Sequence, residues 1–271
     1  HCQKHSFLCC QNATKKSEKN KNFNKKISQK DIIQAANRPI DIQDQRQLEE
    51  AIEKRIAGTP LPYLLGEWSF YGRTFKVNPN VLIPRADTEI LIEKALSKIN
   101  VLDTYEILDL GCGTGIVGIT IALERPLSKV TLIDQSEDAL KNTKDNQALH
   151  QATNVLIQKS NWFNALGQTR FNVILSNPPY LEENDPHLLQ GLEGEPIDAL
   201  VAGPSGTEAI QYIIENAKNY IKPSGWLFME HGYNQAEIVK DLFKKNSYQH
   251  IENANDIHGV HRVTFGQYSI V

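Results

Sequence analysis

Asn177-Pro178-Pro179-Tyr180 is the stretch whose residue types could do chemistry. It follows Phe171–Ser176, a short apolar run that reads as a buried strand. Two prolines cannot continue a ladder, because they lack an N–H and fix φ, so the chain must leave the sheet there. The exit lies at the strand's C-terminal edge, where open α/β sheets hold ligands. Asn177 offers one acceptor and two donors, Pro178 keeps a free carbonyl, and Tyr180 presents a flat apolar face. Together these groups suit one planar substituent carrying an NH2. The tetrapeptide alone is equally well a Pro-Pro turn, so the elements that position it must decide.

Those elements alternate. From residue 106 onward, apolar runs at 106–110, 129–134, 154–158, 171–176, 225–231, 248–253 and 260–266 predict strands. Amphipathic stretches near 115–124, 136–149, 206–221 and 234–246 predict helices between them. This pattern means an α/β fold: a mostly parallel seven-stranded sheet covered on both faces. The last two strands have no helix between them and should pair antiparallel. Upstream, Leu64–Val77 predicts a β-hairpin turning at Tyr71-Gly72. Asp87 or Thr88 caps a helix over 88–99. Arg85 and Glu89 sit at that junction, either as a surface ion pair or as ligand contacts. Residues 31–58 read as helical, with Leu48, Ile52 and Ile56 on the packed side.

Two further stretches fall on strand ends. Ile107–Leu110 runs into Gly111-Cys112-Gly113-Thr114-Gly115, and a helix follows. Alternate glycines allow a tight turn and close approach to a ligand. The next strand ends at Asp134, an acid suited to the two hydroxyls of a ribose. The third strand is followed by Trp162, whose ring could lie against an adenine. In this order the groups specify a nucleoside ligand beside Asn177. No Lys-Ser/Thr follows the glycines, which disfavours ATP, and GxGxG is not the GxGxxG of dinucleotide sites. S-adenosylmethionine fits best.

Taken together, these residues resemble class I methyltransferases that act on amino groups. Within that class, the stretches Pro60–Gly66, Phe75–Pro79, Leu82–Glu89, Ser176–Tyr180, Gly194–Pro196, Ala199–Gly206 and Lys222–Trp226 are similar to the peptide chain release factor glutamine methyltransferases (PrmC/HemK). The resemblance covers about 45–271 and departs at Ala86, where the family carries Pro, and at Cys112. It implies a Rossmann-like methyltransferase domain over 86–271, a hairpin linker over 61–85 and a substrate-recognising helical segment over 31–60. It implies a cofactor site of Gly111, Cys112, Gly113, Thr114, Gly115, Asp134, Trp162 and Asn177. Asn177, Pro178, Pro179 and Tyr180 would bind the substrate, with Asn177, Pro178 and Tyr180 catalytic and no metal required. The substrate it implies is the glutamine of the Gly-Gly-Gln loop in class 1 release factors, methylated at the side-chain nitrogen.

Composition narrows the rivals. At 271 residues, 40% apolar and 23% charged, the chain is long enough for one large or two smaller folded units. Residues 1–30 hold eight Lys and one Glu and read as a flexible basic tail. With a whole-chain net of −3, that leaves residues 31–271 ten charges on the acidic side. Such a body repels phosphate backbones, which argues against stable nucleic-acid binding and against an adenine N6-methyltransferase. A non-catalytic cofactor-binding protein is the other rival. Three of the four Cys lie in the first ten residues and no CxxC pair occurs, which suits a reducing compartment. No apolar stretch approaches the ~20 residues of a membrane span. The expectation is a cytoplasmic monomer, or an organellar one if residues 1–30 are a targeting remnant.

Overall fold

The computed structural model of the chain describes residues 42–189 and 191–269. The basic tail and the first part of the helical segment therefore lie outside the described residues. The chain divides into two compact units, His1–Leu65 and Gly66–Val271. In the first, α1 (Ile42–Ile56) and the short α2 (Leu61–Leu65) are described. The α1 stripe differs from its expected packing: Leu48, Ile52 and Ile56 are exposed.

The second unit opens with a hairpin, β1 (Glu67–Phe70) and β2 (Arg73–Lys76). Tyr71 and Gly72 carry its turn with φ of 47° and 71°, the left-handed pair that a two-residue hairpin loop requires. Glu89 accepts the Tyr71 N–H at 2.8 Å and so anchors that strained residue. Helix α3 (Thr88–Lys98) follows, but neither expected cap operates. Asp87 makes no side-chain cap and instead pairs with Arg262 at 3.2 Å. Thr88 lies inside the helix, and its hydroxyl is engaged by Asn177.

The alternating section then runs β3 (Glu106–Leu110), α4 (Ile116–Glu124), β4 (Lys129–Asp134), α5 (Glu137–His150), β5 (Val155–Lys159) and β6 (Phe171–Ser176). Two short strands, β7 (Leu181–Glu182) and β8 (Val201–Gly203), pair parallel with each other; no periodicity marks elements so short. The chain ends with α6 (Glu208–Ala217), β9 (Ile221–Glu230), α7 (Ala236–Lys245), β10 (Tyr248–Asn255) and β11 (His261–Tyr268). The seven-stranded order is β10-β11-β9-β6-β3-β4-β5, with β9 through β5 parallel and β10 and β11 antiparallel. Helix α6 is shorter than its pattern suggests and β9 begins earlier. The ladder to β6 jumps from Phe171↔Ile221 to Val173↔Trp226, so Lys222–Gly225 form a bulge. A bulge is where a strand tolerates Pro and Gly, and this one reads as a turn in the sequence.

Register is what positions the site. Leu110 faces Ile133 on one side and Ser176 on the other, and Ser176 faces Met229. The next residues, Asp134, Gly111, Asn177 and Glu230, therefore form one row along the C-terminal edge. The Ser176 hydroxyl donates to the Leu110 carbonyl at 2.8 Å and pins that edge. The chain order reverses at β3, with β4 and β5 to one side and β6 and β9 to the other. The row thus straddles the switch point where such sheets bind ligands.

Helix α4 must lie close to the sheet, and Gly118 permits it. A Cβ there would stand 2.6 Å from Leu132 Cδ1 and 2.9 Å from Asp109 Oδ2. Gly→Ala in a helix ordinarily gains about 1 kcal/mol, whereas overpacking costs about 1–3. Gly118→Ala should accordingly destabilise by up to about 2 kcal/mol in urea unfolding. A stabilised variant would mean that α4 sits further from β4 than described.

Candidate active site

The glycine loop between β3 and α4 turns on Gly111, Gly113 and Gly115, with φ of 73°, 54° and 76°. Its N–H groups are mostly spent within the protein. Gly111 and Cys112 both donate to the Ile133 carbonyl at 2.9 Å, Gly113 donates to Asp134 Oδ2 at 2.9 Å, and Gly115 donates to the Cys112 carbonyl at 2.7 Å. The loop therefore offers a ligand close backbone approach rather than a row of free donors. The far side of Trp162 supplies a wall: its ring lies 3.6 Å from the position a Cβ on Gly111 would take. Ser160 holds that turn by donating to the Trp162 carbonyl at 2.6 Å.

A cavity of about 580 Å³ lies above this edge. Gly111, Cys112, Gly113, Thr114, Asp134, Trp162, Asn177, Pro178 and Pro179 line it. Gly115 does not. It sits at the N-terminus of α4, where a Cβ would come within 2.7 Å of Thr143 Cγ2, so its part is to let the loop turn. Tyr180 lines a second cavity of about 340 Å³, together with Leu82, Arg85, Asn177, Pro178, Tyr233 and Arg262. The two cavities share Asn177 and Pro178.

Asp134 holds two backbone donors, Gly113 N–H on Oδ2 and Ser136 N–H on Oδ1 at 2.9 Å. Burial raises its pKa and these N–H groups oppose the rise. Each carboxylate oxygen takes more than one donor, so acceptor capacity remains on both. Burial likewise pushes the Cys112 thiol up, which leaves it neutral; it lies 3.5 Å from the Thr143 hydroxyl. The Asn177 carboxamide donates from Nδ2 to Thr88 Oγ1 at 3.3 Å. Its Oδ1 is shielded from solvent and accepts no hydrogen bond among the described residues. Tyr180 is clamped rather than free: Gln235 Nε2 donates to its carbonyl at 2.9 Å, and its N–H donates to the Leu200 carbonyl at 3.2 Å. Burial raises the pKa of its phenol, so it presents a neutral ring.

Four residues at the site escape a reading of the sequence. Glu195 is the partner of Arg85, and it also accepts the Ile83 N–H at 2.9 Å; Arg85 and Glu89 do not pair. Thr88 contacts Asn177 across 89 positions. Asp109 and Glu230 are both 2% exposed, each an acid next to buried apolar residues of its strand. That incongruity was the available signal, because carboxylates are almost never buried without purpose.

Residues 86–193 match the family model described as the methyltransferase small domain. Over 232 residues the chain is 40% identical to the release factor glutamine methyltransferase of Salmonella typhimurium, covering 85% of this chain and 83% of that protein. The Escherichia coli (strain K12) protein of the same description is 39% identical over 224 residues, covering 82% and 80%. The chain belongs to the release factor glutamine methyltransferase family. Solved structures agree on the fold. A methyltransferase from Pyrococcus furiosus matches with a TM-score of 0.56 at 18% identity, covering 83% of this chain and 99% of that one. The T. thermophilus 16S rRNA N2 G1207 methyltransferase, in complex with AdoMet and guanosine, matches at 0.55 and 16% identity, covering 74% and 49%. In this chain, as in those neighbours, the sheet is the class I methyltransferase sheet.

Asp109 gives the site a measurable signature. Its Oδ2 accepts the Gly118 N–H at 2.9 Å, and burial pushes its carboxyl up to about 7. The folded protein thus holds this proton more tightly than the unfolded chain does. Stability from that group is complete below about pH 4 and is lost as pH rises to about 7. Relative to wild type, Asp109→Asn should gain about 3 kcal/mol between pH 5 and pH 8 in urea unfolding. A gap that does not change with pH would contradict the buried, proton-holding state of Asp109.

Proposed function

We propose that this chain transfers a methyl group from S-adenosylmethionine to the side-chain nitrogen of the Gly-Gly-Gln glutamine in a class 1 release factor. One observation carries the reading. Two cavities share Asn177 and Pro178, and the Asn177 Oδ1 is a buried acceptor with no partner among the described residues. A buried acceptor left unpaired costs about 1–3 kcal/mol, so its retention favours a donor that arrives with the substrate.

The residues of the larger cavity suit the cofactor. Asp134 keeps acceptor capacity for ribose hydroxyls, Trp162 offers a face, and Gly111 and Gly113 admit the amino-acid tail. When bound, the cofactor supplies a methyl group activated on a cationic sulfur. The smaller cavity suits the glutamine side chain, with the Tyr180 ring as one wall.

A carboxamide nitrogen is a weak nucleophile because its lone pair is delocalised. Asn177 Oδ1 and the Pro178 carbonyl would each accept one of its N–H bonds. Held this way, the nitrogen faces the larger cavity, and both oxygens stabilise the positive charge it gains. This is catalysis by orientation and by fixed dipoles, without a strong base. Methylation makes the nitrogen cationic and strongly acidic, and its extra proton then passes to solvent water, which leaves the neutral methylated amide.

Incubation with methyl-labelled cofactor and a release factor tests the substrate. Label should enter the wild-type factor and not a variant whose Gly-Gly-Gln glutamine is Ala; equal labelling of both, or labelling of nucleic acid instead, would refute the reading. Asn177→Ala should lower turnover at least ~100-fold while cofactor affinity falls less, the scale of losing one preorganised polar group.

A further inference from the structure

Glu230 is a buried acid that the reaction above does not use. It ends the apolar strand β9, is 2% exposed, and its Oε2 has no hydrogen-bond partner among the described residues. Parallel register sets it beside Asn177. Thr88, also 2% exposed, accepts from Asn177 Nδ2 at 3.3 Å, and the Thr88 hydroxyl and the Asn177 amide both act on the Glu230 carboxyl to favour its ionised form.

This arrangement has a consequence for Asn177. A carboxamide can present either its oxygen or its NH2, and a half-turn exchanges them. An ionised carboxylate only accepts hydrogen bonds. A threonine hydroxyl that gives its proton to that carboxylate can only accept from its other neighbour. Both inner contacts of Asn177 therefore demand a donor. The NH2 must turn inward, and the oxygen is left without an inner partner, free for a donor that arrives with substrate. We infer that Glu230, with Thr88 as relay, is a positioning residue that locks the Asn177 carboxamide with Oδ1 toward the substrate nitrogen. The inference rests on the function proposed above.

The lock holds only while Glu230 is ionised. Protonated, it becomes a donor, which the Asn177 oxygen can accept by turning inward, and the acceptor for substrate is lost. Burial pushes this carboxyl up to about 7; Thr88, Arg262 and Asn177 pull it down, and Asp87 pushes it up. The charged or titratable groups facing it are Asp87 ahead of α3, Arg262 on β11 and Tyr180 beyond β6. Arg262 is itself shared between Asp87 at 3.2 Å and Asp256 at 3.0 Å. Turnover should consequently fall as pH drops through about 7.

The test uses the full chain with Glu230→Gln, Thr88→Val and Thr88→Ser. Glutamine keeps the shape of Glu230 but offers an NH2 inward, and valine keeps the shape of Thr88 without the hydroxyl. Glu230→Gln should lower kcat about 30-fold and Thr88→Val about 10-fold, fractions of the ~100-fold expected for losing the polar group itself. Thr88→Ser should restore most of what Thr88→Val loses. Cofactor affinity should stay within about threefold throughout, since the lock acts on orientation and not on binding. The acid limb of the wild-type pH profile should flatten in Glu230→Gln. In the ligand-free protein, the Asn177 side-chain NH2 signals in NMR should titrate together with the Glu230 carboxyl carbon, and should lose that titration in Glu230→Gln. A folded Glu230→Gln with wild-type kcat and pH profile would overturn the inference, as would Asn177 signals indifferent to pH. If Glu230→Gln does not fold, the Thr88 pair and the wild-type titration decide. A wild-type protein that labels no release factor would sink the proposed function, while the NMR titration would still judge the lock.

Discussion

The site depends on the register of three parallel ladders. Leu110 against Ile133, Leu110 against Ser176 and Ser176 against Met229 set Asp134, Gly111, Asn177 and Glu230 in one row. Side chains alternate faces along a strand, so a slip of one residue in any ladder would turn a member of that row away. The apolar residues behind the row make such slips costly, because Leu108, Leu110, Ile174 and Leu227 are all fully buried. Core packing thus fixes the spacing of polar groups that contribute little to the core themselves.

Those polar groups set a second constraint. Asp109, Glu230, Thr88 and Asn177 bring polar atoms into a protein interior that tolerates them only when paired. Most are satisfied locally: Asp109 by the Gly118 N–H, Asp134 by Gly113 and Ser136, and Thr88 by Asn177. Asn177 Oδ1 and Glu230 Oε2 are not, and their residues stand next to each other in the row; elsewhere among the described residues Thr120 Oγ1, Glu208 Oε2 and the Tyr248 hydroxyl are also unpaired. Two unpaired acceptors on adjacent residues at the sheet edge are what a site that completes itself with a substrate would show.

Much of this was legible in the sequence, and the limits have physical causes. Apolar runs separated by amphipathic stretches give the sheet and its helices, because period 2 and period 3.6 are local properties. The glycine loop, Asp134 and Asn177–Tyr180 could be assigned to strand ends for the same reason, and the fold brings them to one edge. What local pattern does not carry is pairing over distance. Thr88 with Asn177 and Arg85 with Glu195 are separated by 89 and 110 positions. Thr88 therefore reads as a cap and Arg85 as a partner for Glu89. The two-residue strand β7 is too short for any period, and the bulge at Lys222–Gly225 hides the start of β9 behind a Pro-Ser-Gly turn signal. The α1 stripe marks an apolar face but not what covers it.

The central claim is geometric: a substrate carboxamide nitrogen is held between Asn177 Oδ1 and the Pro178 carbonyl, facing the larger cavity. A crystal structure of the protein with S-adenosylhomocysteine and a Gly-Gly-Gln peptide measures this most directly. The glutamine nitrogen should lie about 2.7–3.2 Å from both oxygens, the range of a true hydrogen bond. A glutamine side chain seated elsewhere, or an Asn177 that presents Nδ2 to it, would contradict the claim.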